Sequence, residues 1–169
     1  MQIEELLQEG KFQHELHRLR VNLIYSAHWL NGKICDFLMP FDITQQQFNI
    51  LRILRGVHPK ALSTLQLRDK MIINKSDTSR LVERLQSKNL VKKKPCKKDK
   101  RLVDVSITRS GLELLDQIDE DIFKLDHILN IDERQARSMN RLLNKMRKEE
   151  KRKNEYRNEN DSFRPAGRI

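Results

Sequence analysis

The chain has 169 residues, which suffice for one compact domain or two small helical modules sharing a core, and which exclude a large multidomain machine. Hydrophobic residues make up 37% and charged residues 34%, with 5 Gly and 4 Pro, a profile that is typical of a helix-rich soluble protein and excludes disorder throughout. The net charge of +10 is unevenly spread, because residues 75–101 hold eleven Lys or Arg against three acids, a net +8. Such a segment suits a surface that neutralises phosphates, although a solvated basic face without a partner has the same composition.

No apolar stretch reaches 18 residues, and the first residues alternate acidic and apolar side chains, unlike a secretory signal. The two cysteines, Cys35 and Cys96, lie 61 positions apart, with no second pair to form a zinc site or a disulfide framework. We therefore expect a protein of the reducing cytoplasm with no membrane contact.

The first predicted helix covers Phe12 to Leu38, where apolar residues recur at steps of three and four. It should end near Met39-Pro40, because proline disfavours helical geometry in the residue before it. The apolar stripe consists of Leu16, Leu19, Leu23, Ala27, Leu30, Ile34 and Phe37.

Two capping boxes predict the next helices. Thr44 begins a Thr-x-x-Gln box before a short, mostly buried helix that Gly56 closes, and Ser63 with Gln66 begins another. This third helix carries Leu65, Leu67 and Met71.

A fourth helix is predicted from a cap at Asn74 to about Lys88, burying Leu81, Val82 and Leu85. Asn89 follows, and asparagine tolerates the left-handed conformation that a sharp helix exit requires.

Residues 90–95 and 102–107 alternate with period two around the charged turn 96–101, which predicts a β-hairpin with a basic tip. Helical periodicity returns from Thr108 to Leu129, and a last helix opens at Asp132, paired with Gln135. Beyond Lys151 the chain has almost nothing to bury, so we expect it to fray.

The predicted fold class is mainly α with a small β-hairpin wing. Residues 1–40 form an N-terminal dimerisation helix, 41–108 a winged helix-turn-helix, 109–150 C-terminal dimerisation helices, and 151–169 a basic, disordered tail. The stripes on the flanking helices are longer than a winged module of some 65 residues needs, which favours a homodimer.

In a winged helix-turn-helix the start of the second helix contacts base edges in the major groove of double-stranded DNA. Hydroxyls suit bases or phosphates, and arginine suits guanine, whereas capping alone also explains a hydroxyl-rich helix start. In the minor groove a wing needs a long cation, and Asp99 is placed to orient Arg101, although an ordinary Asp-containing turn is the simpler interpretation. The predicted DNA-binding residues are Lys75, Ser76, Thr78, Ser79, Arg80, Arg84, Lys93, Lys97, Lys98, Asp99, Lys100 and Arg101.

Residues 64–111 resemble the core of MarR-family transcriptional regulators. The resemblance rests on the RLVERLQSKNLV helix exit, the Asp-x-Arg of the wing and the SITRSG that opens the next helix, and it extends more loosely over residues 12–147. The family commonly has glycine where this chain has Asn89. The resemblance implies a homodimer with intertwined terminal helices that binds a near-palindromic operator. We predict that the protein acts there as a repressor that competes with polymerase, while recruitment of polymerase is the alternative.

Members of this family are often released from DNA by small anionic aromatic effectors or by cysteine oxidation. Tyr25, His28 and Trp29 are candidates for an effector pocket, and core or interface packing is the commoner role of such residues. Cys35 and Cys96 are candidates for a redox site, and Cys96 lies among lysines that favour a thiolate, yet incidental cysteines are commoner.

Two other classes of function compete with operator binding. One is a winged-helix module that docks an acidic protein partner through the same basic face, and a thiol-based redox regulator is a variant of the main hypothesis. The other is an enzyme, for which the sequence offers no metal-ligand spacing, no glycine-rich phosphate loop and no nucleophile near a His and an acid. We therefore predict a non-enzymatic protein without cofactor or metal.

Overall fold

The computed structural model describes residues 12–71, 77–96 and 103–162, with side chains up to Arg147. The expectations for Asn74, Lys75 and Ser76 and for the hairpin tip, residues 97–101, lie outside these residues. The chain divides into two compact units, Met1–Ile128 and Leu129–Ile169.

Helix α1, Glu15–Leu38, begins later than the apolar pattern predicted. His14 is extended and its side chain accepts a hydrogen bond from the His17 N–H, which caps the helix at that point. The predicted end near Met39-Pro40 is confirmed, because a 3-10 turn, Met39–Phe41, follows directly. Asp42 then adopts a left-handed backbone with φ of 51°.

Helices α2, Gln45–Arg55, and α3, Thr64–Lys70, follow the predicted signals. In both capping boxes the hydroxyl accepts from the glutamine N–H while the glutamine side chain accepts from the backbone N–H of the capping residue. Gly56 closes α2 as predicted. The starts of both helices are therefore fixed by local hydrogen bonds.

Helix α4, Thr78–Ser87, is followed by Asn89 at φ 59°, which confirms the predicted left-handed exit. The hairpin stem is also confirmed, as strands β2, Val91–Pro95, and β3, Val103–Ile107.

A further strand, β1, Leu62–Ser63, pairs antiparallel with β3, so that the described strands form a sheet of order β1-β3-β2. The sequence did not predict β1, because two residues are too few to show a periodic pattern.

The hydrophobic core lies between α2, α3, α4, the sheet and the first turns of the next helix. Its fully buried residues include Leu38, Ile50, Leu51, Leu54, Leu67, Val82, Leu85, Val105, Leu115 and Ile118. One side of α4 therefore packs against the core, and the opposite side is exposed at the surface.

The continuous helix predicted from Thr108 to Leu129 is wrong in one respect, because it is broken into α5, Arg109–Asp121, and α6, Phe123–Ile128. At the break the Ile122 N–H donates to the Asp119 carbonyl, three residues back instead of four. No glycine or proline lies between Leu112 and Leu129, so the sequence carried no signal for the break.

Helix α7, Glu133–Ser162, belongs to the second unit. Asp132 and Gln135 exchange the predicted pair of backbone to side-chain hydrogen bonds at its start, 2.9 and 2.8 Å. The helix extends past Lys151, where the sequence analysis expected fraying. Five of the eleven residues 152–162 are glutamate, lysine or arginine, which are good helix formers even without apolar partners.

Candidate nucleic-acid interface

Helix α4 has one buried side and one polar, exposed side. Thr78, Val82 and Leu85 face the core, with exposed fractions of at most 4%. The opposite side, called here the outward face of α4, consists of Ser79, Arg80, Glu83, Arg84 and Ser87, all exposed. The helix therefore presents arginines and hydroxyls to solvent, as a groove-reading helix must.

Thr78 lies apart from the other predicted contacts. It is 4% exposed, and its Oγ1 donates to the sulfur of Met71 at 3.6 Å. This contact joins the start of α4 to the residue that ends α3. In this structure the Thr78 side chain serves the packing of the helix pair and is absent from the outward face.

Arg80 and Arg84 lie one helical turn apart on the outward face, both exposed. Neither forms an ion pair within the described part of the chain. Two long unpaired cations at this spacing suit a guanine edge and a neighbouring phosphate. Glu83, which the sequence analysis did not single out, lies between them.

The hairpin stem divides its three lysines between two faces. Lys93 is half-buried and opposite Val105, on the face that carries buried Val91. Lys92 and Lys94 are exposed, opposite Ser106 and Asp104 on the other face. Because side chains alternate between the two faces of a strand, Lys92 and Lys94 are more exposed than Lys93. The apolar residue Val91 was the sequence signal for this, since Lys93 shares its face of the strand and Lys92 and Lys94 do not.

The exit of α4 is held against the start of α5. The Thr108 Oγ1 donates to the Asn89 carbonyl at 2.7 Å, and the Thr108 N–H donates to the Leu90 carbonyl at 3.1 Å. Gly111 packs so closely that an added Cβ would lie 2.3 Å from the Leu90 carbonyl oxygen. The chain therefore leaves the outward face along a fixed path into the hairpin.

A second contact holds the same end of α4. The Lys88 Nζ lies 2.6 Å from the Asp42 Oδ2 and also donates to the Asp42 carbonyl. Sequence reasoning missed this pair, because 46 residues separate its members and neither stands in a motif.

A cavity of about 380 Å³ opens in the first unit, lined by residues of α1, α2 and α6 and by Met71 and Ile122. Apolar side chains, including Ile34, Phe48 and Met71, form much of its wall, and polar side chains complete it. Arg52 lies over the Phe48 ring at 5.6 Å. The predicted pocket residues Tyr25, His28 and Trp29 do not line this cavity and are exposed.

The remaining candidates are not brought together. Cys35 is exposed on α1 and Cys96 is half-buried after β2. Within the described residues, no three His, Cys, Asp or Glu side chains are grouped in a way that would hold a metal ion. A search of the described helices finds none with the length and apolarity to cross a membrane.

The paired helices α3 and α4, the hairpin that follows them and the polar outward face define a winged helix-turn-helix protein. Residues 41–102 match the model of the MarR family. The fold is similar to that of a MarR transcription factor from Planctomyces limnophilus, with 27% identity, a TM-score of 0.63, and coverage of 81% of this chain and 98% of that one.

Two structures with bound DNA are also similar in fold. A point mutant of MarR from E. coli in complex with operator DNA has 24% identity and a TM-score of 0.71, with coverage of 81% of this chain and 99% of that one. The MepR–DNA complex from S. aureus has 20% identity and a TM-score of 0.68, with coverage of 82% and 99%. No curated protein matches the sequence.

The winged helix-turn-helix segment, residues 41–102, thus matches the MarR family, and the proteins of similar fold are described as transcription factors or regulators. The resemblance found in the sequence is thereby confirmed, together with the predicted fold class.

Proposed function

We propose that the protein is a sequence-specific repressor that binds duplex operator DNA, with α4 in the major groove and the hairpin tip in the minor groove. The observation that carries the proposal is the outward face of α4, where Arg80 and Arg84 are exposed and form no ion pair with any residue that the structure describes. MarR and MepR share this fold and have DNA bound in their structures.

Each contact follows from side-chain chemistry. Arg80, near the start of α4, makes a bidentate pair with guanine, and Ser79 contacts a base or phosphate beside it. Arg84, one turn later, neutralises a phosphate. Lys75 and Ser76, which precede α4, add contacts on the same side of the groove.

In the minor groove Arg101 is the reading cation, and Asp99 orients its guanidinium through charge-assisted hydrogen bonds. Lys97, Lys98 and Lys100 neutralise phosphates around it, and Lys93 contributes from the stem.

The proposed active form is a homodimer. The flanking helices leave large apolar side chains uncovered, among them Leu16 at 74%, Ile24 at 67%, Leu142 at 57% and Met146 at 52% exposed. A second copy covers such surface, and a two-fold axis sets the two recognition helices roughly 34 Å apart, one turn of DNA. The two-fold symmetry favours a near-palindromic operator, and we propose that the dimer represses by occupying the promoter.

The test selects from a random library the DNA duplexes that the full chain binds most tightly, and then measures the affinity of the chain for them. Arg80→Ala is expected to weaken binding by roughly 10- to 100-fold and to relax one position of the site. Arg101→Ala is expected to have a similar effect on affinity. Arg134→Ala, an exposed arginine at the start of α7, is the control and should bind as the parent does.

Binding that survives both substitutions in the folded protein contradicts the proposal. A chain with no affinity for any duplex at low salt, but with tight binding to an acidic protein, is instead an interaction module.

The cavity favours a second element of function, release from DNA by a small anionic aromatic ligand. Its apolar walls accept a ring, and Arg52 supplies a cation beside Phe48. We expect calorimetry to detect binding of benzoate or a larger aromatic carboxylate, and Arg52→Ala to abolish it. Arg68→Ala, an exposed arginine outside the cavity, should leave this binding unchanged, and equal binding by both variants contradicts the assignment.

A further inference from the structure

We propose that Asp42 and Lys88 are positioning residues for DNA recognition, which fix the C-terminal end of α4 against the connector between α1 and α2. The inference rests on the proposed function, since it assumes that α4 reads DNA. Neither residue lies on the outward face of α4, and neither is required to touch DNA.

The contact has two points of attachment. The Lys88 ammonium lies 2.6 Å from the Asp42 carboxylate and also donates to the carbonyl oxygen of the same residue. Two acceptors on one residue restrict the lysine more than a single surface ion pair would. The Lys88 side chain is 32% exposed, so its stem packs against protein, while the Asp42 side chain is 93% exposed and its carboxylate is open to solvent.

Both ends of the contact are anchored in the core. Asp42 lies between Leu38 and Ile43, which are 0% and 6% exposed. Lys88 lies between Leu85 and Leu90, which are 0% and 8% exposed. The ion pair therefore joins two backbone segments, each of which is held in place by buried neighbouring residues.

The charges around the pair are also informative. Lys88 and Arg84 line one shallow groove beside α4, together with Thr44 and Gln47 from the start of α2. Among the described residues that line this groove, Asp42 is the only one with a carboxylate. Its charge is therefore directed to Lys88, and Arg84 remains available for a phosphate. Although Lys88 belongs to the basic segment of the sequence, its ammonium group binds Asp42 within the protein.

The geometry explains why such a tether matters for base reading. The start of α4 is joined to α3 by the Thr78–Met71 contact, and its end is held by the contacts of Lys88 with Asp42 and of Asn89 with Thr108. Bidentate contacts tolerate displacements of only about 0.5 Å, so a recognition helix that pivots at one end loses them.

The test uses the full chain and the duplex selected for it. Asp42→Asn retains a residue type that tolerates positive φ, and Lys88→Met retains the length of the stem without the charge. We expect each variant, and the double variant, to weaken operator binding by the same factor, about fivefold, because each removes the same pair. The slope of log affinity against log salt should equal that of the parent.

Hydrogen exchange of residues 83–91 without DNA supplies an independent measurement. Both single variants should exchange faster there, and to the same extent. Glu113→Ala is the matched control, since it removes an exposed ion pair to Arg109 within α5, 2.8 Å long. The control should change neither operator affinity nor exchange in residues 83–91.

The outcomes separate the hypotheses. If Lys88→Met alone weakens binding and lowers the salt slope by about one per recognition helix, Lys88 is a phosphate contact and the inference is overturned. Variants that bind and exchange as the parent does overturn it as well. A parent that binds no duplex refutes the proposed function itself, a result that differs from tight parental binding with unaffected variants.

Discussion

The winged module and the flanking helices differ in how much of their apolar side chains is exposed. In the module, α2, α3, α4 and the sheet enclose a core in which most large side chains are less than 9% exposed. On α7, Met139, Leu142 and Met146 are 51 to 57% exposed, and on α1 Leu16 and Ile24 are more exposed still. The module thus encloses its apolar residues, whereas the flanking helices carry apolar surface that no part of the described chain covers.

The largest expected effect breaks the module itself. Gly111→Val places side-chain atoms against the Leu90 carbonyl, where even a Cβ would lie 2.3 Å away. Because backbone cannot yield as a flexible side chain does, we expect a loss of about 3 kcal/mol in the free energy of unfolding, measured with urea.

Gly32→Ala is the matched control on α1, since an added Cβ there meets nothing within 4 Å. An open helical position should gain about 0.5–1 kcal/mol from this change. Equal effects of the two glycine substitutions would contradict the close approach of α5 to the exit of α4.

The second effect concerns the flanking helices. Leu142→Glu places a charge on the apolar stripe of α7, while the side chain is already 57% exposed in the single chain. We expect the chain to fold normally, to sediment as a monomer, and to bind operator about 100-fold more weakly, since both half-sites no longer bind together.

Asn144→Glu introduces the same side chain about 160° away around α7, counting 100° per residue. It should remain dimeric and bind as the parent does. If Leu142→Glu also remains a dimer, the uncovered stripe is not the dimer interface.

The smallest expected effect concerns the junction between the winged module and helix α5. Thr108→Val removes the cap that accepts from the Gly111 N–H and the hydroxyl that donates to the Asn89 carbonyl. We expect a loss of about 1–2 kcal/mol in unfolding free energy, and a Thr108→Ser variant should restore most of it. Failure of serine to restore stability would indicate that the methyl group, and not the hydroxyl, holds this junction.

Local signals predicted much of the fold. The boxes at Thr44 and Ser63, the left-handed Asn89 and the cap at Asp132 are each fixed by residues within four positions of one another, so the sequence contains the whole interaction. Periodicity likewise predicted α1 and the hairpin stem. The break at Ile122 and the strand Leu62–Ser63 were missed, because neither has a local signature.

For the interface, the sequence by itself determined the residue types and their order: a basic segment, an arginine pair one turn apart on a helix, and a hairpin after it. Only the tertiary structure decided which of these side chains reach solvent. It buried Thr78 against Met71, placed Lys93 on the inner face of the stem, and committed Lys88 to Asp42. The reason is physical: these outcomes depend on which distant segments pack together, and Lys88 and Asp42 are brought into contact by a core that neither of them helps to build.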